Sequence, residues 1–163
     1  MRGFLLAALL ALTLPLSAQA EVVEVAGAKY ETVQDVGGQK LVLNGAGIRY
    51  KLIIKVYAAG LYLGSKASTP EAALSQPGPK RIHIQMLRDI DGNELGKLFT
   101  KGMEANAPRE EFAKCINGVL KLSEVFASRK QLNSGDSFSV DYLPGVGATL
   151  LLNGKSVMPE PIK

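Results

Sequence analysis

Leu41 to Ser65, LVLNGAGIRYKLIIKVYAAGLYLGS, constrains the fold more than any other stretch of this chain. It is a long apolar passage with glycines near both ends. Read two by two, Ile48, Tyr50, Leu52, Ile54, Val56 and Ala58 form an almost wholly apolar row. Arg49, Lys51, Ile53, Lys55, Tyr57 and Ala59 form a mixed one. That alternation predicts one long strand, with one face on a core and the other open to water or ligand. Its β-branched and aromatic residues suit a pleated surface. Asn44-Gly45 and Ala46-Gly47 predict a turn before the strand. Gly60 and Gly64 predict bends or exits after it.

The rest of the chain supplies partners for such a strand. Val23, Val25, Tyr30 and Val33 predict one or two short strands at a sheet edge, closed by a Gly37-Gly38 turn. Ser68-Thr69-Pro70-Glu71 reads as a helix start, and Pro77-Gly78-Pro79 stops that helix early. Ile82, Ile84 and Met86 alternate with Arg81, His83 and Gln85, a strand whose polar face is expected to be solvated. Asp89 or Asp91 can cap a helix carrying Leu95, Leu98, Phe99 and Met103. A second helix opens at Pro108, with Phe112, Cys115, Ile116, Val119, Leu120 and Phe126 as its apolar stripe. Ser137 to Leu143 and Ala148 to Leu152 read as strands, and Asn153-Gly154 is a hairpin signal. Hairpins dominate and no βαβ unit repeats. The expected class is α+β, an antiparallel sheet with helices layered on one face.

Residues 1–20 read as a signal peptide, with Arg2 as its positive start, Phe4 to Leu16 as its apolar run and Ala18-Gln19-Ala20 as a cleavage site. A single domain is then expected over residues 21–163, in the periplasm or secreted, with no stable membrane span once the signal is removed. Losing Arg2 lowers the formal net charge from +4 to +3. The basic residues are scattered rather than striped, which argues against a nucleic-acid partner. Cys115 is the only cysteine, so no internal disulfide is available, and its place on an apolar stripe predicts a buried thiol. His83 is the only histidine and has no ligand cluster around it in sequence, which predicts a surface strand position and no metal site. Gly45-Ala46-Gly47 precedes a strand rather than a helix and is no dinucleotide motif.

Gly45-Ala46-Gly47-Ile48-Arg49, followed by Val56-Tyr57-Ala58-Ala59-Gly60-Leu61-Tyr62-Leu63, resembles the chalcone isomerase-like domain, most of all its small exported bacterial members. The resemblance implies an open-faced antiparallel sheet under helices, and no cofactor. It also implies a further C-terminal amphipathic helix, often with a tryptophan, which this sequence lacks. Its absence is expected to leave apolar sheet surface uncovered.

In the enzymes of that family an arginine stabilises an ionised phenol as it adds to an enone. Arg49 is the matching candidate here, and arginine suits the task because it stays charged and offers directed donors. Tyr57 stands where the enzymes have a threonine. Phe112, with no hydroxyl, and Asn117, at a poor offset, are the nearest matches to their orienting tyrosine and asparagine. On one continuous strand Arg49 and Tyr57 are about 26 Å apart at roughly 3.3 Å per residue, too far to share a small substrate. The resemblance also covers members that bind fatty acids. Three readings therefore stand: a binder of a small apolar or amphipathic ligand through Arg49, Tyr57, Phe112 and Ile116; an intramolecular lyase or isomerase with Arg49 as its catalytic group; and a non-catalytic envelope protein with a protein partner. Arg49 paired to a neighbouring carboxylate, and Lys51 and Lys55 on a solvated face, are the structural alternatives.

Overall fold

The structure, a computed structural model, describes residues 21–162, so the expected signal peptide lies outside the described residues. The chain opens with β1 (Val22–Val25), β2 (Ala28–Glu31) and β3 (Val33–Val36). The long β4 (Gln39–Lys51) and β5 (Ile54–Leu63) follow, then the short α1 (Pro70–Ser75) and β6 (Lys80–Met86). After β7 (Ile90–Asp91) come the helices α2 (Gly92–Asn106) and α3 (Arg109–Ala127). The chain closes with β8 (Gln131–Leu132), β9 (Ser137–Leu143), β10 (Gly147–Leu152) and β11 (Lys155–Ser156). Seven strands form one antiparallel sheet in the order β11-β10-β9-β6-β5-β4-β3. This is the α+β arrangement the strand and helix order predicts.

The expected single long strand is instead a hairpin. Its turn is Leu52-Ile53, and β5 runs back antiparallel along β4. Leu52 takes a left-handed φ of 57° there. The expected turn at Asn44–Gly47 is absent, because β4 passes straight through it with a register shift between Leu43 and Gly45. A second shift after Arg49 leaves Val56 without its own partner on β4, and Val56 joins the helix-side core. Irregularities of this kind bend a strand and re-aim its side chains.

Register sorts the two faces. Ile84 pairs with Ala59 on one side and Phe138 on the other, so all three share a face. There, Ile84, Met86, Phe138 and Leu150 meet Leu95 of α2 and Leu122 and Phe126 of α3. Phe126 lies 4.9 Å from Phe138 and 5.7 Å from Phe99, ring centre to ring centre. On the opposite face, Ala58 and Tyr62 pack with Leu41, Leu43, Ala28 and Tyr30. Of the short edge strands expected here, β3 is the edge of the sheet beside β4, whereas β1 and β2 do not extend it. They pair with each other and fold over this second face. Gly60 makes room for them: a Cβ there would sit 2.7 Å from the Tyr30 ring. It lies inside β5, not at a bend.

Helix signals hold where they are local. Thr69 caps α1, accepting from the Ala72 amide, and Asp91 caps α2, accepting from the Glu94 amide. Pro108 takes the N-cap position of α3 rather than its first turn. The stripe of α3 is shifted: Leu122 is buried, whereas Leu120 is 49% exposed. After β11 the described chain continues as an extended tail, with Val157, Met158 and Ile162 packed on the helix-side core. Ile162 exchanges two 2.8 Å backbone hydrogen bonds with Ala148 and rests on Gly118 of α3. At this end of the sheet the tail covers the apolar surface expected to be bare.

Candidate functional site

The β4–β5 turn changes the geometry of the predicted site. Arg49 and Tyr57 are direct cross-strand partners. Their Cα atoms are therefore about 5 Å apart rather than far along one strand. Both side chains belong to the face that carries Ala59, Leu61, Ile82 and Ile84, since Tyr57 pairs with Met86 and Leu61 with Ile82. Beneath α2 and α3 this face is a filled core. Over β4 it is open, because Gly45 and Gly47 present no side chains and are exposed. Ile82 is left 46% exposed. Arg49 is exposed and makes no salt bridge among the described residues, so the expected neighbouring carboxylate is not seen there. Tyr57 is half-buried and packs against the helix-side core.

Phe112 and Ile116 are half-buried on the first turns of α3, one turn apart. They continue the row that Val119 and Phe126 bury deeper in. Asn117 points away from that row and is exposed. Cys115 is half-buried rather than fully buried, and its thiol donates to the Glu111 carbonyl at 3.1 Å. A cleft of about 440 Å3 lies elsewhere, between the C-terminal half of α3 and the tail, lined by residues that include Lys121, Val125, Met158 and Pro161. Among the described residues no group of three or more His, Cys, Asp or Glu side chains is placed to hold a metal ion.

A second constellation lies on the opposite face of the sheet. Arg81, His83 and Gln85 are not on a free solvated face; they are half-buried on the side of the sheet that the β1–β2 hairpin covers. Arg81 grips Asp141 with two hydrogen bonds of 2.6 Å and donates a third, of 2.9 Å, to Gln34. His83 Nδ1 lies 2.8 Å from the Ser139 hydroxyl, and its ring meets the Tyr30 ring edge-on at 5.9 Å. The Tyr62 hydroxyl donates to the Glu31 carbonyl, while the buried Tyr30 hydroxyl has no partner among the described residues. Polar alternation looks the same in sequence whether water or a hairpin lies over it, so no local signal marks this burial.

The electrostatics describe a locked structural network. Burial, and then the neighbouring Tyr62, push the Tyr30 phenol up to about 12. Burial and Glu31 push Tyr62 up to about 12 against the opposing pull of Arg81. Both hydroxyls therefore stay protonated at neutral pH and are poor bases. The Asp141 hydrogen bond holds Arg81 firmly charged despite burial. Burial, and then Arg81, depress His83 below its ordinary 6.5, partly offset by Asp141. The unfolded chain then takes up the His83 proton first on acidification. The stability held by the neutral ring is complete above about pH 6.5 and is lost as pH falls through the lower folded-state value. Thermal melts between about pH 7.5 and 5.5 should fall more steeply for the wild type than for His83→Gln. Parallel slopes would show that the histidine does not titrate in this way.

No curated protein matches the chain at a significant level. Among solved structures, a fatty-acid binding protein of Arabidopsis thaliana shares the fold with a TM-score of 0.64, at 15% identity, over 85% of this chain and 81% of that one. A family model described as chalcone isomerase-like matches residues 22–161, from the first strand to the tail that seals the helix-side core. Since that match spans the whole described fold and the Arg49 strand within it, the chain belongs to the chalcone isomerase-like family.

Proposed function

We propose that this protein binds a small amphipathic ligand, of the fatty-acid or phenolate type, on the helix side of the sheet in the cell envelope. The observation that carries the reading is Arg49: an exposed guanidinium, unpaired among the described residues, beside an apolar row formed by Ala59, Leu61 and Ile82. Arginine is suited to an anionic head group because its fork donates two parallel hydrogen bonds. Tyr57, directly across from it on β5, shares that face. Phe112 and Ile116 are on the first turns of α3, whereas the start of α2 that meets Lys51 packs on the opposite end of α3, at Phe126, so the two are not brought beside Arg49. The shared fold with a fatty-acid binding protein supports this class of ligand.

The test is native mass spectrometry of the purified protein, followed by titration with a long-chain fatty acid. Wild type should carry or take up an adduct. Arg49→Ala should weaken uptake by about ten- to a hundredfold, the scale of one charge-assisted contact. Equal uptake by both would remove Arg49 from the site. The cross-strand approach of Arg49 and Tyr57 also favours a second reading, an intramolecular lyase or isomerase acting on a phenolic enone. Turnover of a chalcone that disappears in Arg49→Ala would decide for that reading over simple binding.

A further inference from the structure

The apex of the β4–β5 hairpin is built unlike a turn selected for folding alone. Leu52 and Ile53 are 93% and 92% exposed, and Tyr50 and Ile54 are 47% exposed beside them. Leu52 adopts a left-handed φ of 57°, a conformation that L-residues other than Gly, Asn and Asp rarely take. The β10–β11 hairpin uses Asn153 and Gly154 at φ 47° and 77°, the residues that suit such a turn, and the β1–β2 turn places the small Ala26 at φ 52°; among the described residues only the β4–β5 apex puts a large branched side chain in that conformation. The chain thus tolerates strain at Leu52 to hold two branched apolar side chains clear of the body.

Cations ring this apex. Arg49, Lys51 and Lys55 are exposed at its base. Lys51 is shared with Glu94 of α2 across 3.3 Å, with both side chains half open to water. Arg49 and Lys55 have no acidic partner among the described residues. The order from the tip inward is therefore aliphatic, then aromatic and cationic. It matches the order a lipid monolayer presents, from acyl chains through the interface to phosphates. A narrow apex of two fully exposed side chains falls well short of the roughly 800 Å2 per partner that a stable protein interface uses.

We propose that the Leu52-Ile53 apex inserts into the surface of an anionic phospholipid bilayer, with Arg49 and Lys55 on the lipid phosphates. No helix among the described residues is long and apolar enough to cross a membrane, and the attachment is peripheral and reversible. It stands without any assumption about the bound ligand. If Arg49 also holds a ligand, the mouth of that site lies three residues from the bilayer surface.

The test is co-sedimentation of the purified full chain with vesicles of phosphatidylcholine alone or mixed equally with phosphatidylglycerol. Wild type should bind the mixed vesicles and release at high salt. The double variant L52D/I53D should lose about tenfold or more of that binding. Lys55→Gln, which leaves Arg49 intact, should weaken the preference for anionic lipid by several-fold. Any attachment through residues 1–20 is common to all these proteins and does not affect the comparison. Because the chain contains no tryptophan, Ile53→Trp gives a single reporter whose emission should shift to the blue on anionic vesicles. This second measurement stands even if L52D/I53D fails to fold. Equal binding by wild type and a folded L52D/I53D, or no blue shift, overturns the proposal. So does a wild-type dimer that L52D/I53D dissociates, which would make the apex a contact between copies of this chain. A wild type that binds the mixed vesicles but takes up no fatty acid would overturn the ligand reading alone.

Discussion

Asp141→Ala should destabilise the protein by about 3 kcal/mol, the low end of what breaking a buried ion pair costs. The reason lies in what remains behind. The Arg81 side chain is 16% exposed and the Asp141 side chain 10%. Removing the carboxylate strands a guanidinium beneath the β1–β2 hairpin with Gln34 as its only remaining hydrogen-bond partner among those described. At this chain length the loss corresponds to a fall in melting temperature of roughly 6–12 °C. The double replacement Arg81→Met with Asp141→Leu should recover most of it, because neither charge is then buried alone. Thermal melts of the three variants check this. A single variant within about 0.5 kcal/mol of wild type would show that the pair is screened by water and holds nothing in place.

Gly92→Ala should cost roughly 3 kcal/mol or more, since overpacking is worst where the obstacle cannot rotate away. A Cβ at Gly92 would collide with the backbone carbonyl oxygens of Phe126 and Arg129 at the far end of α3. Those oxygens belong to the chain itself, and the Gly92 amide also donates to the Lys130 carbonyl. One turn on, a Cβ at Gly96 would lie 2.7 Å from the Ser123 hydroxyl. Two glycines four residues apart thus let α2 lie close against α3. The hairpin they form carries Leu95, Leu122 and Phe126 onto the sheet. Forcing the helices apart should loosen that core, visible as a lower melting temperature and increased dye binding. Gly102, on the same helix with open space where its Cβ would be, is the control: Gly102→Ala should be neutral or mildly stabilising. If Gly92→Ala matched Gly102→Ala, the close approach of the helices would not matter to stability.

Both predictions concern contacts between elements far apart in the chain, where sequence reasoning is weakest. The α+β class, the antiparallel strands, the caps at Thr69 and Asp91 and the Asn153-Gly154 hairpin were all legible, because alternation, capping and turn chemistry are local properties. The resemblance at Gly45–Arg49 and Val56–Leu63 identified the family for the same reason: it rests on contiguous residues. It also singled out Arg49 and Tyr57.

Tertiary structure decided how those pieces meet. The Leu52-Ile53 turn contains no glycine, proline or asparagine, and its apolar residues continue the alternation on both sides, so the passage reads as one strand. Only the pairing of β4 with β5 folds it and sets Arg49 opposite Tyr57. His83 and Arg81 alternate like solvated residues, yet a hairpin some fifty to sixty residues upstream covers them. Gly60 resembles a strand end, but its lack of a Cβ serves the ring of Tyr30. The amino-acid sequence by itself determined which residues alternate, where helices begin and which family the chain resembles. What lies across each face was settled by packing between distant segments, because burial depends on the partner and not on the period.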